Sequence, residues 1–489
     1  MMNSTSFVNS VFKITSGSFF GQFILAISSP IITRIYEPKI FGFFATYNAI
    51  VKLVSAIAPL RYEMALVIAK KNNDSRHLAL LSFVFVSIIV IAIFLISMFI
   101  RKFVSDNDII NVLVSYPFYV CSGILFWAVL NILISIETRH SNFSNIASLK
   151  FIKPSFTAIS QIFYGIMINS SVYGLFIGDL IGSFVCVIFL TTRSFNSQSI
   201  EKIKSLSLSN TIKMMIRYKS FPIYGTWSVL VSSLMLQLPT LIIANYYPLS
   251  IVGLFALANR MLQMPMALFN SGLSQVFLKS ASVDNSQKNI KNLVLKIFSR
   301  LMMFGLLPIL VVSLIGEELF SIIFGRQWSE AGRYTQILSF WCFSAFLVQP
   351  LAHLVNIFEK QKEGLIINII RLLVRIGTLS YCVIVQINII NTLIYFSMAG
   401  VLSNFIFLFY LLRLSKNSLK DIIFVSGRYI FVSVIFCLPL LIVKQLYIFP
   451  DFILILLSIS LLIFYGLFSF MIDSGFRKLV YNAIFVEKR

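Results

Sequence analysis

Lysine and arginine inside apolar runs are the residues of this sequence best placed to do chemistry. Lys52 lies about twelve residues into an apolar stretch at 40–68, and Arg260 about nine into another at 251–277. Arg371 and Arg375 stand one helical turn apart in 365–386, and Lys150 and Lys153 occupy the matching part of 143–167. An ionisable side chain at bilayer depth is costly, so each is by default a candidate functional group. The competing reading is that the long stem snorkels to the headgroups. It fits the shallower Lys150 and Arg371. It fits Lys52, Arg260 and Arg375 less well, because each is roughly 14–18 Å from the nearer helix end at 1.5 Å per residue. A cavity lined by such cations suits an anionic substrate, a lipid-linked pyrophosphate for example.

Asp179, in YGLFIGDLIG, is the acidic counterpart. Gly174, Gly178 and Gly182 form a small-residue face there that allows close helix packing. Asp179 reads either as a proton or cation relay or partner of a lumenal cation, or as a packing residue bonded to a neighbouring hydroxyl. Arg61 and Glu63, in APLRYEMALVIAKK, are two positions apart and cannot face each other on a regular helix. Pro59 loosens that turn, and the pair reads as an interfacial anchor or as a gate. Arg34 beside Tyr36 reads as an interfacial anchor.

No HExxH, P-loop or GxSxG occurs, and the three histidines (His77, His140, His353) are scattered. The five cysteines are single residues in apolar segments, without a CxxC pair, and read as core filler. The expectation is a non-enzyme without metal or cofactor.

The elements that must position these side chains follow from composition. The chain has 489 residues, 58% hydrophobic and only 12% charged, with a mean hydropathy of +0.90. A soluble protein would need about twice that charge. Apolar runs of roughly 20 residues, enough to span a bilayer, recur from end to end. The fold class expected is all-α integral membrane, with about fourteen spans: 8–31, 40–68, 78–100, 112–135, 143–167, 172–191, 218–243, 251–277, 293–315, 332–356, 365–386, 390–411, 427–445 and 452–472.

Charge alternates between the links. Those after even-numbered spans carry Lys70, Lys71 and Arg76; Arg139; Lys202, Lys204, Lys213 and Arg217; Lys279, Lys288 and Lys291; Lys360 and Lys362; Arg413, Lys416 and Lys420. The tail adds Arg477, Lys478, Lys488 and Arg489, whereas 169–171, 245–250 and 387–389 carry no charge. The bias places the basic links and both termini in the cytoplasm. Most of the +22 net charge is therefore topogenic, and nucleic acid is not the expected partner. The cations around 193–220 suit either a solvated link or a helix lying on anionic lipid.

Two stretches look duplicated. Residues 30–48 read PIITRIYEPKIFGFFATYN and residues 239–259 read PTLIIANYYPLSIVGLFALAN. Each is a proline-bearing helix end, a short link with a second proline, and a Gly-led apolar helix. Gly42 and Gly253 stand 211 residues apart. IETRHSNFSNIASLKFIK (136–153) and FEKQKEGLIINIIRLLVR (358–375) form a second pair. The pattern implies a doubled six-helix unit: 1–192 as the first lobe, 193–217 as a cytoplasmic linker, 218–412 as the second lobe, and 413–489 as two appended spans with a tail. Such a two-lobed transporter would enclose a central cavity.

SSPIITRIYEPKIFGFFATYNAI, LRYEMALVIAKK, YGLFIGDLIG and FGRQWSEAGRYTQILSF (324–340), in this order and spacing, resemble bacterial O-antigen and polysaccharide flippases. These belong to the multidrug/oligosaccharidyl-lipid/polysaccharide exporter superfamily. The resemblance covers essentially the whole chain and departs at span 4, where Trp127 stands ten residues before Glu137. It implies movement of an undecaprenyl-pyrophosphate-linked oligosaccharide from the cytoplasmic to the periplasmic leaflet of the inner membrane. It also implies drive by protons or sodium, and leaves room for glycan assembly proteins as partners. Lys52, Lys153, Arg260, Arg371 and Arg375 would engage the pyrophosphate, with Asp179, Arg61 and Glu63 coupling or gating. The alternative is a multidrug or cation antiporter of the same superfamily. It would favour an acidic cavity, whereas deep cations outnumber deep acids here. A membrane glycan polymerase or ligase would need a large periplasmic loop, and no link is long enough.

Overall fold

A computed structural model of the chain describes residues 4–100, 115–194, 207–283, 287–446 and 450–472. Among these residues the regular structure is helical throughout, with no strand. In chain order the helices used below are α1 (Ser4–Ile35), α2 (Pro38–Ile57), α3 (Tyr62–Ile68), α4 (Asn72–Ile100), α5 (Pro117–Arg139), α6 (Phe143–Met167), α7 (Val172–Ser194) and α8 (Leu208–Arg217). There follow α9 (Thr226–Tyr246), α10 (Leu249–Val283), α11 (Gln287–Phe324), α12 (Ser329–Leu351), α13 (Leu354–Ile357), α14 (Gln361–Ile384), α15 (Ile389–Leu414), α16 (Leu419–Leu446) and α17 (Asp451–Ile472). Lys202, Lys204, Arg477, Lys478, Lys488 and Arg489 lie outside the described residues, as do the side chains of Lys279 and Lys288.

Every one of the fourteen predicted spans is occupied by a helix. Among the described residues, twelve helices are long and apolar enough to cross a membrane. Those in the fifth and tenth predicted spans, α6 and α12, fall short on apolarity. Helix α6 carries Lys150, Lys153 and Gln161, and α12 carries Glu330, Arg333 and Gln336. Helix α12 is nonetheless deeply buried, and its hydroxyls bond back to their own helix: Thr335 to the Ala331 carbonyl and Ser344 to that of Trp341. Backbone pairing within each helix is what lets such segments sit away from water.

The second predicted span, 40–68, is broken. Helix α2 ends at Ile57, and α3 starts only at Tyr62. Leu60 (φ 50°) and Arg61 (φ 61°) adopt the left-handed conformation that no regular helix tolerates. Pro59 precedes them, and the turn closes with Leu60 N–H on the Ile57 carbonyl.

The described helices pack as two compact units, residues 1–275 with 365–392, and residues 276–364 with 393–489. In the second unit, α16 and α17 pack on α11 through Met303, Leu307, Val311, Cys437, Leu440 and Tyr465. Helix α11 leaves helical geometry at Ile315 (φ −117°, ψ 20°). The carbonyl of Leu314, freed there, accepts Gln336 Nε2 at 3.2 Å and Lys444 Nζ at 2.5 Å, while Lys444 also pairs with Glu318 at 2.7 Å.

The duplicated stretches meet in the first unit. Pro30 lies inside α1 and Pro239 inside α9, Pro38 opens α2, and Pro248 immediately precedes α10. Proline suits a helix start because its missing N–H would have no partner there. A Cβ on Gly42 would run into the carbonyl of Leu249, and one on Gly253 into the carbonyl of Pro38. The contact is reciprocal: the 211-residue offset that carries Gly42 onto Gly253 also carries Pro38 onto Leu249. Contacts that exchange in this way are the mark of a local two-fold relation. Because backbone rather than a movable side chain is struck, Gly42→Ala and Gly253→Ala should each cost at least the 1–3 kcal/mol typical of overpacking, roughly. The expected result is loss of folded protein from the membrane fraction, read by fluorescence-detected size exclusion. A normal monodisperse peak from both variants would contradict the close approach.

Candidate functional site

Asp179, on α7, is buried at 5% exposure. It is held there by tight packing of α7 on α6. A Cβ at Gly178 would strike Gln161, and one at Gly182 would strike Thr157 and the Lys153 carbonyl. Gly174 likewise packs on Tyr36 and Tyr164. The small-residue face therefore draws the two helices together, and it brings the acid opposite Lys153. Lys153 Nζ lies 3.5 Å from Asp179 Oδ1, and the Tyr47 hydroxyl donates to Asp179 Oδ2 at 3.3 Å. Asp179 is thus paired with a cation and takes a neighbouring hydroxyl as its second contact.

Lys153 has another neighbour. Its ammonium stands 3.6 Å from the centroid of the Trp127 ring, contributed by α5. A ring face attracts a cation, the more so when water is scarce. Trp127 is the only tryptophan in residues 1–192 and stands within an apolar run, a signal that could have flagged it. Trp127 Nε1, Thr157 Oγ1 and Ser183 Oγ are buried without hydrogen-bond partners.

Lys52, on α2, is exposed, yet it lies within electrostatic range of Asp179, Lys153 and Arg260. Arg260, on α10, is half-buried. Lys52 thus has two further cations, from α6 and α10, and one buried carboxylate within range. Around Lys52 the cations in range outnumber the acids.

Arg371 and Arg375 form a second cationic group, on α14. Arg375 is buried at 8% exposure with Arg371 as its charged neighbour, and Arg371 Nη1 donates to Asn368 Oδ1 at 2.9 Å. Both groups belong to the first unit. Lys150 stands apart from them: it is exposed, and donates to Ser18 at 2.8 Å.

Arg61 and Glu63 meet despite their spacing. Arg61 Nη1 lies 3.3 Å from Glu63 Oε1. The expectation that they cannot face each other assumed a regular helix; the left-handed turn at Leu60 and Arg61 removes that assumption. The Arg61 side chain also packs over Gly225. Arg139, read from sequence as a topogenic cation, has a further structural role. Its guanidinium donates to the Leu66 carbonyl at 2.9 Å, the Ala69 carbonyl at 2.6 Å and Asn72 Oδ1 at 3.1 Å. It satisfies carbonyls that the end of α3 leaves without intrahelical partners. Among the described residues, no group of three or more His, Cys, Asp or Glu is placed to hold a metal ion.

A family model described as "Polysaccharide biosynthesis protein" matches residues 31–333. No match was found among curated proteins. Among solved structures, the chain is similar to a lipid II flippase, MurJ, in an inward closed conformation. That likeness has a TM-score of 0.72 at 15% identity, covering 96% of this chain and 99% of that one. It is also similar to an inward-facing multidrug resistance MATE family transporter of the MOP superfamily, with a TM-score of 0.58 at 13% identity, covering 82% of this chain and 95% of the other. A point mutant of the MATE transporter VcmN of Vibrio cholerae gives a TM-score of 0.53 at 13% identity, covering 84% of this chain and 97% of that one. At these identities the likeness establishes a shared fold.

Proposed function

The chain belongs to the polysaccharide biosynthesis protein family, a multi-pass membrane protein with the fold of MurJ and MATE transporters, and from that premise we propose that it flips a lipid-linked oligosaccharide. The substrate class we infer is an undecaprenyl-pyrophosphate oligosaccharide, a surface-polysaccharide repeat unit such as O-antigen. It would move from the cytoplasmic to the periplasmic leaflet of the bacterial inner membrane by alternating access of the lobes 1–192 and 218–412.

One observation carries this reading: Lys52 has two further cations, Lys153 and Arg260, on two other helices, and a single carboxylate, Asp179, within electrostatic range. A pyrophosphate presents several anionic oxygens and can engage more than one cation at once, which a neutral or cationic drug cannot. We further assign Arg371 and Arg375, one turn apart on α14, to the same anion as forked donors. The surplus also argues against the multidrug cation antiporter. Asp179 is already matched to Lys153, so a coupling proton or sodium ion would have to compete with an ammonium group for it. Coupling is accordingly assigned to Asp179 only together with Lys153, and gating to the Arg61–Glu63 turn.

The test uses purified full-length protein in proteoliposomes with a fluorescent polyprenyl-pyrophosphate oligosaccharide and a membrane-impermeant quencher. Protein-dependent exposure of the inner-leaflet probe is expected, with competition by the unlabelled pyrophosphate-linked lipid. Equal flipping of a neutral polyprenol-linked sugar would remove the anion from the argument.

A further inference from the structure

Helix α8 divides its surface three ways. At about 100° per residue, Leu208, Ile212, Met215 and Ile216 cover one sector, Ser209, Lys213, Arg217 and Asn210 a second, and Thr211 and Met214 a third. The third sector is docked. The Thr211 hydroxyl donates to the Ser207 carbonyl at 3.1 Å and shares a hydrogen bond with His77 Nδ1 at 2.8 Å. Met214 packs on Tyr62, Ala65, Leu66 and Leu78 together with Tyr218. The Tyr62 hydroxyl donates to the Met215 carbonyl at 3.2 Å, and Arg217 at the sector's edge pairs with Asp74 at 3.4 Å. The first sector is bare. Leu208 is 79% exposed, Ile216 59% and Ile212 49%.

A helix that meets its own protein on one side, presents apolar side chains on the next and cations on the last fits one environment, the junction of protein, lipid and water. The chain supplies an independent marker of where that junction lies. The span that begins at Phe221 exposes Tyr224 (75%) and Trp227 (66%) in its first turns, and exposed Tyr and Trp settle at headgroup level. Helix α8 ends four residues before that span begins. Lys213 and Lys219 are exposed beside it.

We propose that α8 lies in the plane of the basic face of the membrane. Leu208, Ile212, Met215 and Ile216 enter the acyl boundary, and Lys213 and Lys219 hold anionic phospholipid headgroups. The apolar sector would sit about 5–10 Å below the headgroups. Each cation near an anionic surface adds roughly 1 kcal/mol, a preference of about five-fold per lysine for anionic over zwitterionic lipid. Through Tyr62 and the Arg61 contact with Gly225, this seat is tied to the left-handed turn between α2 and α3. Lipid charge would thereby bias the turn assigned above to gating. The placement of α8 itself does not depend on the substrate assignment.

The experiment is site-directed spin labelling of the full chain in vesicles. The five native thiols are buried, so single cysteines at 208, 212, 209 and 213 label ahead of them. Power saturation should show oxygen accessibility dominating at 208 and 212, and a nickel chelate dominating at 209 and 213. The label at 212 should sit deeper in vesicles of equal phosphatidylglycerol and phosphatidylcholine than in phosphatidylcholine alone. Lys213→Gln with Lys219→Gln should abolish that difference while leaving the periodicity. Water accessibility at all four sites overturns the proposal. So does dipolar broadening at 212, which would mean a second copy covers the face. Equal depth in both lipids overturns the anionic preference. Because no transport is measured, each of these outcomes is separable from failure of the flippase reading.

Discussion

Replacing Arg260 or Arg375 by glutamine is expected to abolish surface-glycan complementation in a strain lacking the gene, with the protein still present at normal level in the membrane. The two arginines differ from ordinary core residues in what their removal does to folding. Arg260 shares its field with Lys52, and Arg375 is buried with Arg371 as its charged neighbour. Burying a charge near a like charge costs folding free energy, so neutralising Arg260 should hold stability, and the immunoblot reports whether Arg375→Gln does the same. Function moves the other way. A charge-assisted hydrogen bond to phosphate contributes roughly 1.5–3 kcal/mol, so each loss should cost about 10–150-fold in transport. Lysine at either position keeps the charge but loses the fork, and an intermediate glycan level is expected. Complementation and a membrane immunoblot together decide the matter. Wild-type glycan from both glutamine variants would end the assignment of these residues to the pyrophosphate.

What could be read from the residues, and what could not, divides along a physical line. Apolar runs interrupted by basic links report helices directly, because a bilayer leaves the backbone few other options. Each of the fourteen predicted spans accordingly holds a helix, the second of them broken between Ile57 and Tyr62. The duplicated stretch was also legible, since prolines and glycines mark helix starts and close approaches by type alone. Two features escaped. The break at Leu60 and Arg61 needs a positive φ at residues that carry a Cβ, and no side-chain pattern announces that. The partners of Lys153 and its acid come from α5, α7 and α2, at Trp127, Asp179 and Tyr47, and periodicity within one segment says nothing about contacts between segments. Arg139 shows the same limit. Its place in a basic link suggested topology, whereas its bonds to the Leu66 and Ala69 carbonyls at the end of α3, and to Asn72 at the start of α4, arise from how α5 meets those helices.

The Lys153–Asp179 pair carries the second large expected effect, and it separates folding from transport. Lys153 is 19% exposed by side chain and Asp179 is 7%, so solvent does little to screen either. Asp179→Ala leaves the Lys153 ammonium against the Trp127 ring without its carboxylate. Breaking a buried pair in this way costs about 3–5 kcal/mol, and a marked fall in the midpoint of thermal unfolding is expected for purified protein. Asp179→Asn keeps an acceptor for Tyr47 and should fall less. Replacing both partners, Lys153→Met with Asp179→Leu, removes the unmatched charge along with the pair, and should recover most of the lost stability. If the pair were only structural, the double variant would also recover transport. If Lys153 exchanges Asp179 for an incoming pyrophosphate, the double variant folds and does not flip. A stable, fully active double variant would therefore return Asp179 to the role of a packing residue, whereas stable and inactive protein would place the exchange of partners at the centre of the transport step.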